Sequence, residues 1–91
     1  MTAPRVAVVI AVKNAASVIG RCLDSVLLQD FDGYEVIVVD DGSTDETPSI
    51  LNKYAPRIKT ILAGPVGPSR ARNLAVASSS AEYAAFTDSD C

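Results

Sequence analysis

Two runs of almost purely apolar residues constrain the fold of this chain more than any other feature. The first is Val6–Val12, and the second is the shorter run 36–39. Such runs, when bounded by polar turn residues, are typical of strands covered on both faces, as at the centre of a parallel sheet. Both runs are therefore predicted to be neighbouring central strands.

Helical and extended patterns alternate along the rest of the chain. The patterns predict helices over about 17–29, 45–54 and 68–79, and further strands at about 58–62 and 83–87. This alternation indicates an α/β fold, a three-layer Rossmann-like half-domain with a parallel four-stranded sheet. We expect the strand order 3-2-1-4, with its switch point between strands 1 and 4. In the third helix, Ala71, Leu74 and Ala75 are predicted to pack inward.

Length and charge exclude several classes of protein. The chain has 91 residues, enough for one small domain, and its net charge of -3 does not favour binding to nucleic acid. It has no apolar run long enough to cross a bilayer and no visible secretory signal. Cys22 and Cys91 make neither a metal-binding spacing nor a disulfide framework, and Cys22 is predicted to be a core residue. These features predict a cytoplasmic protein.

Two acidic residues, Asp40 and Asp41, end the second apolar run. The carboxyl ends of strands are where open parallel sheets bind ligands. These carboxylates could accept hydrogen bonds from a ligand or hold a cation indirectly. Alternatively, one caps the next helix and the other is solvated. Residues 43–46 fit the capping-box pattern, a hydroxyl followed three residues later by Glu.

A second acidic pair, Asp88 and Asp90, directly follows the fourth strand. Alternate residues of an extended chain point the same way, so both carboxylates could face one Mg or Mn ion. Such a pair is also common in solvated turns. Arg70 and Arg72 lie near the start of the third helix, where anions are favoured, although both could be ordinary surface charges. The chain has neither a P-loop nor a Gly-x-Gly-x-x-Gly motif.

Five segments together resemble one known family. The chain is similar to the amino-terminal half of the family-2 glycosyltransferases, which have a GT-A fold. The most specific of these segments is Val38-Val39-Asp40-Asp41-Gly42-Ser43-Thr44-Asp45, and the last runs into the family's DXD motif at Asp88-Ser89-Asp90. The matching segments, in order, are 8–14, 22–26, 38–45, 67–74 and 82–90.

The resemblance implies binding of a nucleotide-sugar, commonly a UDP-sugar, together with a divalent cation, Mn or Mg. The backbone near Ala11 and Lys13 would frame the base, and Asp41, or Asp40, would accept a hydrogen bond from a base N–H. Asp90, with Asp88, would bind the metal. The implied nucleotide-sugar-binding residues are Ala11, Lys13, Asn14, Asp40, Asp41, Arg70, Arg72 and Asp88.

The sequence departs from the family pattern in two ways. Ala11 replaces the usual proline and Lys13 the usual aromatic residue, so Lys13 could favour a different base or a phosphate contact. The family's acceptor-binding half and catalytic base lie beyond the position of Cys91. The expectation is therefore a donor-binding half-domain that is inactive alone, at the cytoplasmic face of the membrane in a full-length protein. The alternatives are a non-catalytic nucleotide-binding module and an α/β assembly module, and an uncovered strand 4 predicts a homodimer.

Overall fold

The computed structural model describes residues 5–28 and 33–87. Strands and helices alternate throughout, as predicted, and the bounds of the first and fourth strands agree with the sequence-based ones. Helix 1 begins two residues later than predicted, and its predicted end at residue 29 lies outside the described residues. The elements are β1 (Val6–Val12), α1 (Ile19–Leu27), β2 (Tyr34–Asp41), α2 (Thr47–Tyr54), β3 (Lys59–Ala63), α3 (Pro68–Ala77) and β4 (Tyr83–Thr87).

The four strands form one parallel sheet in the predicted order, β3-β2-β1-β4. In the register of the sheet, Val12 lies beside Asp40, and Ile10 lies between Val38 and Thr87. The carboxyl ends of β1, β2 and β4 therefore meet at one edge, on both sides of the switch point. This is the edge at which the sequence places its polar candidates.

Helices cover both faces of the two central strands, β1 and β2, and make the predicted three layers. One core joins α1 and α2 to the even-numbered residues of β1 and β2, such as Ile10 and Val38. The other core joins α3 to odd-numbered residues of the same strands, such as Val9 and Val39. Successive side chains of a strand point to opposite faces, so residue parity decides which layer a strand residue meets.

Small side chains bring α3 close to the sheet. Ala71 and Ala75 are fully buried four residues apart and pack against β1 and β2, as predicted. Leu74 is 42% exposed, so the prediction that it packs inward is wrong. Because the helix rests on its two alanines, the neighbouring Leu74 is turned toward the outer side.

Helix α1 is anchored by Ile19, Cys22 and Leu23, which are fully buried. Cys22 is thus the predicted core residue, but it is also disulfide-bonded. The prediction of no disulfide framework is therefore wrong, because the positions of cysteines along a chain do not reveal whether they meet once the chain is folded. Cys91 lies outside the described residues. Within the described part of the chain, no helix is long and apolar enough to cross a membrane.

Candidate functional site

Asp41 holds the loop that leads into α3. Its carboxylate accepts hydrogen bonds from the backbone N–H of Val66 at 2.6 Å and from the N–H of Gly67 at 3.1 Å. The residue is only 7% exposed. Gly67 is the N-cap residue of α3, so the negative charge lies at the positive end of the helix, where the helix dipole stabilises it.

Asp40 points to the opposite face of the sheet, toward α1 and α2. One of its oxygens accepts the N–H of Ser43 at 2.8 Å, whereas Oδ2 is buried and has no hydrogen-bond partner among the described residues. The sequence left open whether Asp40 or Asp41 would meet a ligand. The alternation of side chains brings only Asp41 to the α3 side.

A small open cavity lies beside Asp41 at the carboxyl edge of the sheet. Its volume is about 180 Å³, and it is lined by residues from β1, the residue after it, β2 and the start of α3. Ala11, Lys13 and Asp41, three of the predicted nucleotide-binding residues, are thus brought together. The full lining is Ala11, Val12, Lys13, Asp41 and Pro68.

Two larger hollows lie elsewhere on the surface. One, of about 340 Å³, lies between α2 and β3, and the other, of about 380 Å³, lies on the outer side of α3. Neither is lined by a carboxylate, and the first is far from the switch point. Their size therefore does not make them better ligand sites than the smaller cavity with its buried acid.

Asn14 joins the two loops that follow β1 and β2. Its side-chain oxygen accepts the N–H of Thr44 at 2.7 Å and the N–H of Asp45 at 3.3 Å, and its own N–H donates to Ser43 Oγ at 2.8 Å. Its φ of 52° lies in the left-handed region, which Asn tolerates better than most residues. Asn14 thus lies next to the site, but its side chain is committed to holding the loop.

This use of Ser43 corrects the predicted capping box. The N-cap residue of α2 is Glu46, and its side chain makes no capping hydrogen bond. Ser43 Oγ accepts from Asn14, a residue 29 positions away, and not from the first turn of α2. A local pattern cannot reveal such a distant partner, which competes for the same oxygen.

Asp45 completes the connection between these loops. It accepts hydrogen bonds from the hydroxyl and the N–H of Thr47, and a weaker one from the N–H of Ala16. The hydrogen bonds from Thr47 lower the pKa of Asp45 below its ordinary value, because they stabilise the charged carboxylate. Thr47 is itself fully buried, and its Oγ1 accepts the N–H of Ala15.

Two glycines let the loops after β2 and β3 touch. Gly42 and Gly64 have φ values of 80° and 137°, which favour glycine. A Cβ on Gly64 would lie 2.5 Å from the backbone nitrogen of Gly42. This close backbone contact, together with the grip of Asp41 on Val66, fixes the position at which α3 begins.

The two arginines of α3 face different surroundings. Arg70 lies with Val66 and Leu74 along the outer hollow of the helix, away from the cavity beside Asp41. Arg72 is half-buried and makes no hydrogen bond or ion pair with any other described residue. Arg72 precedes Val76 by one helical turn, so the two residues lie on the same side of α3. Val76 lines a small hollow together with Tyr83 and Ala84 of β4. Only Arg72 is therefore on the side of α3 that is turned toward the switch point.

The predicted metal ligands Asp88 and Asp90 lie outside the described residues. Strand β4 ends at Thr87, directly before them. Among the residues that the structure describes, no group of three or more His, Cys, Asp and Glu side chains could hold a metal. The described residues therefore do not build a cation site by themselves.

The loop amides of Val66 and Gly67 are part of the site that the sequence patterns do not reveal. Val66 and Gly67 supply the N–H groups that hold Asp41, and Pro68 forms one wall of the cavity. A usable signal was present, because a glycine before a helix that starts with proline often marks an N-cap. The sequence does not reveal that the N–H of this N-cap residue, Gly67, donates to the buried acid Asp41.

The glycosyl transferase family 2 model matches residues 7–91 of the chain. Among curated proteins, the putative glycosyltransferase EpsH of Bacillus subtilis is 38% identical over 93 residues, covering 99% of this chain and 27% of that protein. The poly(ribitol-phosphate) beta-glucosyltransferase of Bacillus spizizenii is 37% identical, covering 94% of this chain and 15% of its own length. The chain thus spans about a quarter or less of these relatives.

Solved structures show the same likeness. S. aureus TarS 1-349 in complex with UDP-GlcNAc superposes with a TM-score of 0.83 at 34% identity, over 94% of this chain and 26% of TarS. The mannosyltransferase PcManGT from Pyrobaculum calidifontis, in complex with GDP-Man and Mn2+, has a TM-score of 0.83 at 33% identity. That match covers 99% of this chain and 28% of PcManGT. The fold is accordingly the Rossmann-like part of a GT-A glycosyltransferase.

Proposed function

Because the chain belongs to glycosyl transferase family 2, we propose that it binds the nucleotide-sugar donor of a glycosyl transfer to an acceptor. The donor that we propose is a UDP-sugar, held together with a divalent cation. Residues 1–91 are, in this proposal, the donor-binding half-domain. The acceptor and the sugar are left open, since nothing in the described residues selects them.

The cavity beside Asp41 is the observation that carries this proposal. It lies at the carboxyl edge of a parallel sheet, next to the switch point, where folds of this type bind nucleotides. Two backbone N–H groups occupy only part of the acceptor capacity of the Asp41 carboxylate, which has about four lone-pair sites. Asp41 can therefore also accept a hydrogen bond from an N–H of the base.

The diphosphate is proposed to extend from this cavity toward the end of β4. Arg72, a half-buried residue, lies on that side of α3, and its guanidinium has no partner among the described residues. Guanidinium groups are suited to phosphate oxygens because their donors form a planar fork. Arg70, on the outer side of α3, is proposed to contribute only long-range charge.

Asp90, with Asp88, is proposed to hold the divalent cation, Mn or Mg. Carboxylates are suitable ligands for either ion, and in the sequence both residues follow Thr87, where β4 ends. When bound, such a cation would neutralise charge on the departing nucleoside diphosphate. TarS with UDP-GlcNAc and PcManGT with GDP-Man and Mn2+ support a donor and cation of this class.

Transfer of the sugar is proposed to require residues beyond this chain. Asp41 is the one acid among the described residues that line the cavity, and it already accepts the N–H groups of Val66 and Gly67, so no described acid is assigned the role of catalytic base. We therefore expect the 91-residue chain to bind the donor and to transfer little or no sugar. A longer chain that continues past Cys91 should gain transferase activity if this is a donor-binding half, whereas a non-catalytic binding module would gain none.

Isothermal titration calorimetry with UDP tests the proposed donor site. We expect binding that strengthens when Mn is present, and we expect Asp90→Ala to remove the effect of Mn. Asp24→Ala, which removes an exposed acid on α1, serves as the control and should retain the Mn effect. Absence of UDP binding by the folded chain, with and without Mn, would refute the proposal.

A second proposed function is self-association through β4, for which the uncovered strand is the specific observation. The strand is at the end of the described sheet, and Tyr83 and Phe86 are 59% and 54% exposed. Its sequence, Tyr-Ala-Ala-Phe-Thr, has no lysine or proline, the residues that commonly oppose pairing of edge strands. We propose that β4 of a second copy pairs with it in a homodimer.

A further inference from the structure

We propose that Lys13 is a specificity-determining residue that donates a hydrogen bond to a ring carbonyl of the base, while Asp41 accepts one from the neighbouring ring N–H. The inference rests on the proposed nucleotide site and goes beyond it, because it assigns the recognition of the base to a pair of opposite charges. The ligand class is a base in which a ring N–H adjoins a carbonyl group.

The ends of β1 and β2 bring Lys13 and Asp41 to the same cavity. Ala11 of β1 lies beside Val39 of β2, and both belong to the α3 face. Asp41 lies two residues later in β2 and shares this face, whereas Lys13 is the first residue after β1, beyond the last paired position, at which Val12 lies beside Asp40. Lys13 and Asp41 line the same cavity, together with Pro68.

Lys13 has a free ammonium group to offer. The residue is exposed, and its side chain makes no hydrogen bond or ion pair with any residue that the structure describes. Lys59, by contrast, donates to the backbone oxygen of Ser78 at 2.8 Å. The position next to Lys13 is fixed as well, because Asn14 is bound to the loop after β2. The ammonium group of Lys13 is thus an unpartnered donor, among the described residues, on a backbone position that is fixed by its neighbour.

The charge of Asp41 favours a base over a phosphate in this cavity. A phosphate beside Lys13 would also lie beside a carboxylate that is only 7% exposed, and like charges at close range repel. A base edge with an N–H next to a carbonyl presents one donor to Asp41 and one acceptor to Lys13. Free donors for phosphate are instead found on Arg72, on the side of α3 turned toward β4.

The test compares ligands with and without phosphate. Binding of uridine, UDP and 3-methyluridine is measured by NMR titration of the whole 91-residue chain and of its Lys13→Met variant. Lys53→Met is the matched control, because Lys53 is also exposed but lies at the end of α2. The amide spectrum of each variant without ligand shows whether it is folded like the original chain.

We expect Lys13→Met to lower the affinities for uridine and for UDP by the same factor. That factor should be about tenfold, as for loss of one hydrogen bond to a charged group. Lys53→Met should change neither affinity. 3-Methyluridine, in which the ring N–H is blocked, should bind the original chain about tenfold more weakly than uridine.

Three results would overturn the inference. In the first, Lys13→Met lowers the affinity for UDP but leaves the affinity for uridine unchanged, which would make Lys13 a phosphate contact. In the second, it changes neither affinity although the original chain binds both ligands. In the third, 3-methyluridine binds as well as uridine, so that no ring N–H is recognised. If the original chain binds neither uridine nor UDP, the proposed function itself fails.

Discussion

Adjacent acids perform different tasks in this site. Asp40 and Asp41 are consecutive in β2, yet one faces the layer of α1 and α2 and the other faces α3. Each accepts backbone N–H groups from a loop that follows a strand, Asp40 from Ser43 and Asp41 from Val66 and Gly67. The pair therefore organises both loops, and only Asp41 is also available to the cavity.

Removing the Asp41 carboxylate should destabilise the chain. Asp41→Ala leaves the N–H groups of Val66 and Gly67 without their acceptor. We expect the free energy of unfolding, measured by urea titration, to fall by about 1–3 kcal/mol. Asp41→Asn keeps one acceptor oxygen and should cost less. Glu82→Ala, a change at an exposed acid, is the control. Equal stability of Asp41→Ala and the original chain would contradict this role of Asp41.

Asp45 should give the chain a measurable sensitivity to acid. Its pKa is lowered in the folded state, from an ordinary value of 3.8, by hydrogen bonds from Thr47. The folded state thus binds this proton less readily than the unfolded one, so the stabilisation is present above the ordinary pKa. It is lost as the pH falls through the lower, folded pKa.

Urea unfolding measured at a series of pH values, from neutral to strongly acidic, tests this prediction. The original chain should lose more stability than Asp45→Asn once the pH falls below the ordinary pKa of 3.8. The difference in stability between the two proteins at each pH isolates the contribution of Asp45, because the other carboxylates contribute equally to both. Curves that run parallel throughout would show that Asp45 does not contribute this stabilisation.

At the scale of elements, the loops and not the helices determine the geometry of the site. The loop after β1 is tied to the loop after β2 through Asn14, and the loop after β2 touches the loop after β3 through Gly42 and Gly64. Helix α3 then begins at Pro68, beside the cavity. Three consecutive strand-to-helix loops are therefore joined into one unit.

Gly64→Ala should disrupt this unit. A Cβ there would lie 2.5 Å and 2.7 Å from backbone atoms of Gly42, and the φ of 137° is unfavourable for alanine. We expect a loss of about 2–4 kcal/mol in the free energy of unfolding, from overpacking together with backbone strain.

Gly20→Ala is the matched control for this substitution. Gly20 lies within α1, and its Cβ would make an ordinary contact of 3.5 Å with the hydroxyl of Tyr54. In a helix, alanine is favoured over glycine by about 0.5–1 kcal/mol, so this variant should be as stable as the original chain or more stable. Thermal unfolding that shows equal losses for the two variants would contradict the close contact of the loops.

The sequence predicted the elements well because their patterns are local. The runs of Val in β1 and β2, and the alternation of helices and strands, gave the parallel sheet and its order. The sequence failed where a distant residue decides. Ser43 binds Asn14 instead of capping α2, and Leu74 is turned outward because Ala71 and Ala75 hold the helix. The choice between Asp40 and Asp41 likewise requires knowing that α3 packs on the face of the odd-numbered residues of β1 and β2.

At the scale of the whole molecule, one side of the described sheet is covered poorly. Both faces of β4 are largely exposed, whereas the central residues of β1 and β2 are buried. An apolar strand with a free backbone edge pairs readily with another strand. The proposed homodimer should therefore form to a greater extent as the protein concentration rises.

Phe86→Lys should weaken this self-association. A lysine in the pairing strand introduces charge repulsion between the two copies, and we expect the association constant to fall by at least about tenfold, since charges on edge strands oppose pairing. Leu28→Lys, which adds the same charge at an 81% exposed position after α1, should have no effect. A monomer in sedimentation equilibrium or light scattering at millimolar concentration would contradict the proposed dimer.

The most direct test of the central claim is to map UDP binding by NMR, using the backbone amide signals of the chain. If the nucleotide binds at the carboxyl edge on the α3 side, the amides of Lys13, Asp41 and Gly67 should shift in proportion to occupancy. The amides of Asn52 and Thr60, in the hollow between α2 and β3, should stay unchanged. Shifts confined to that hollow, or no shifts at millimolar UDP, would contradict the assignment of the donor site.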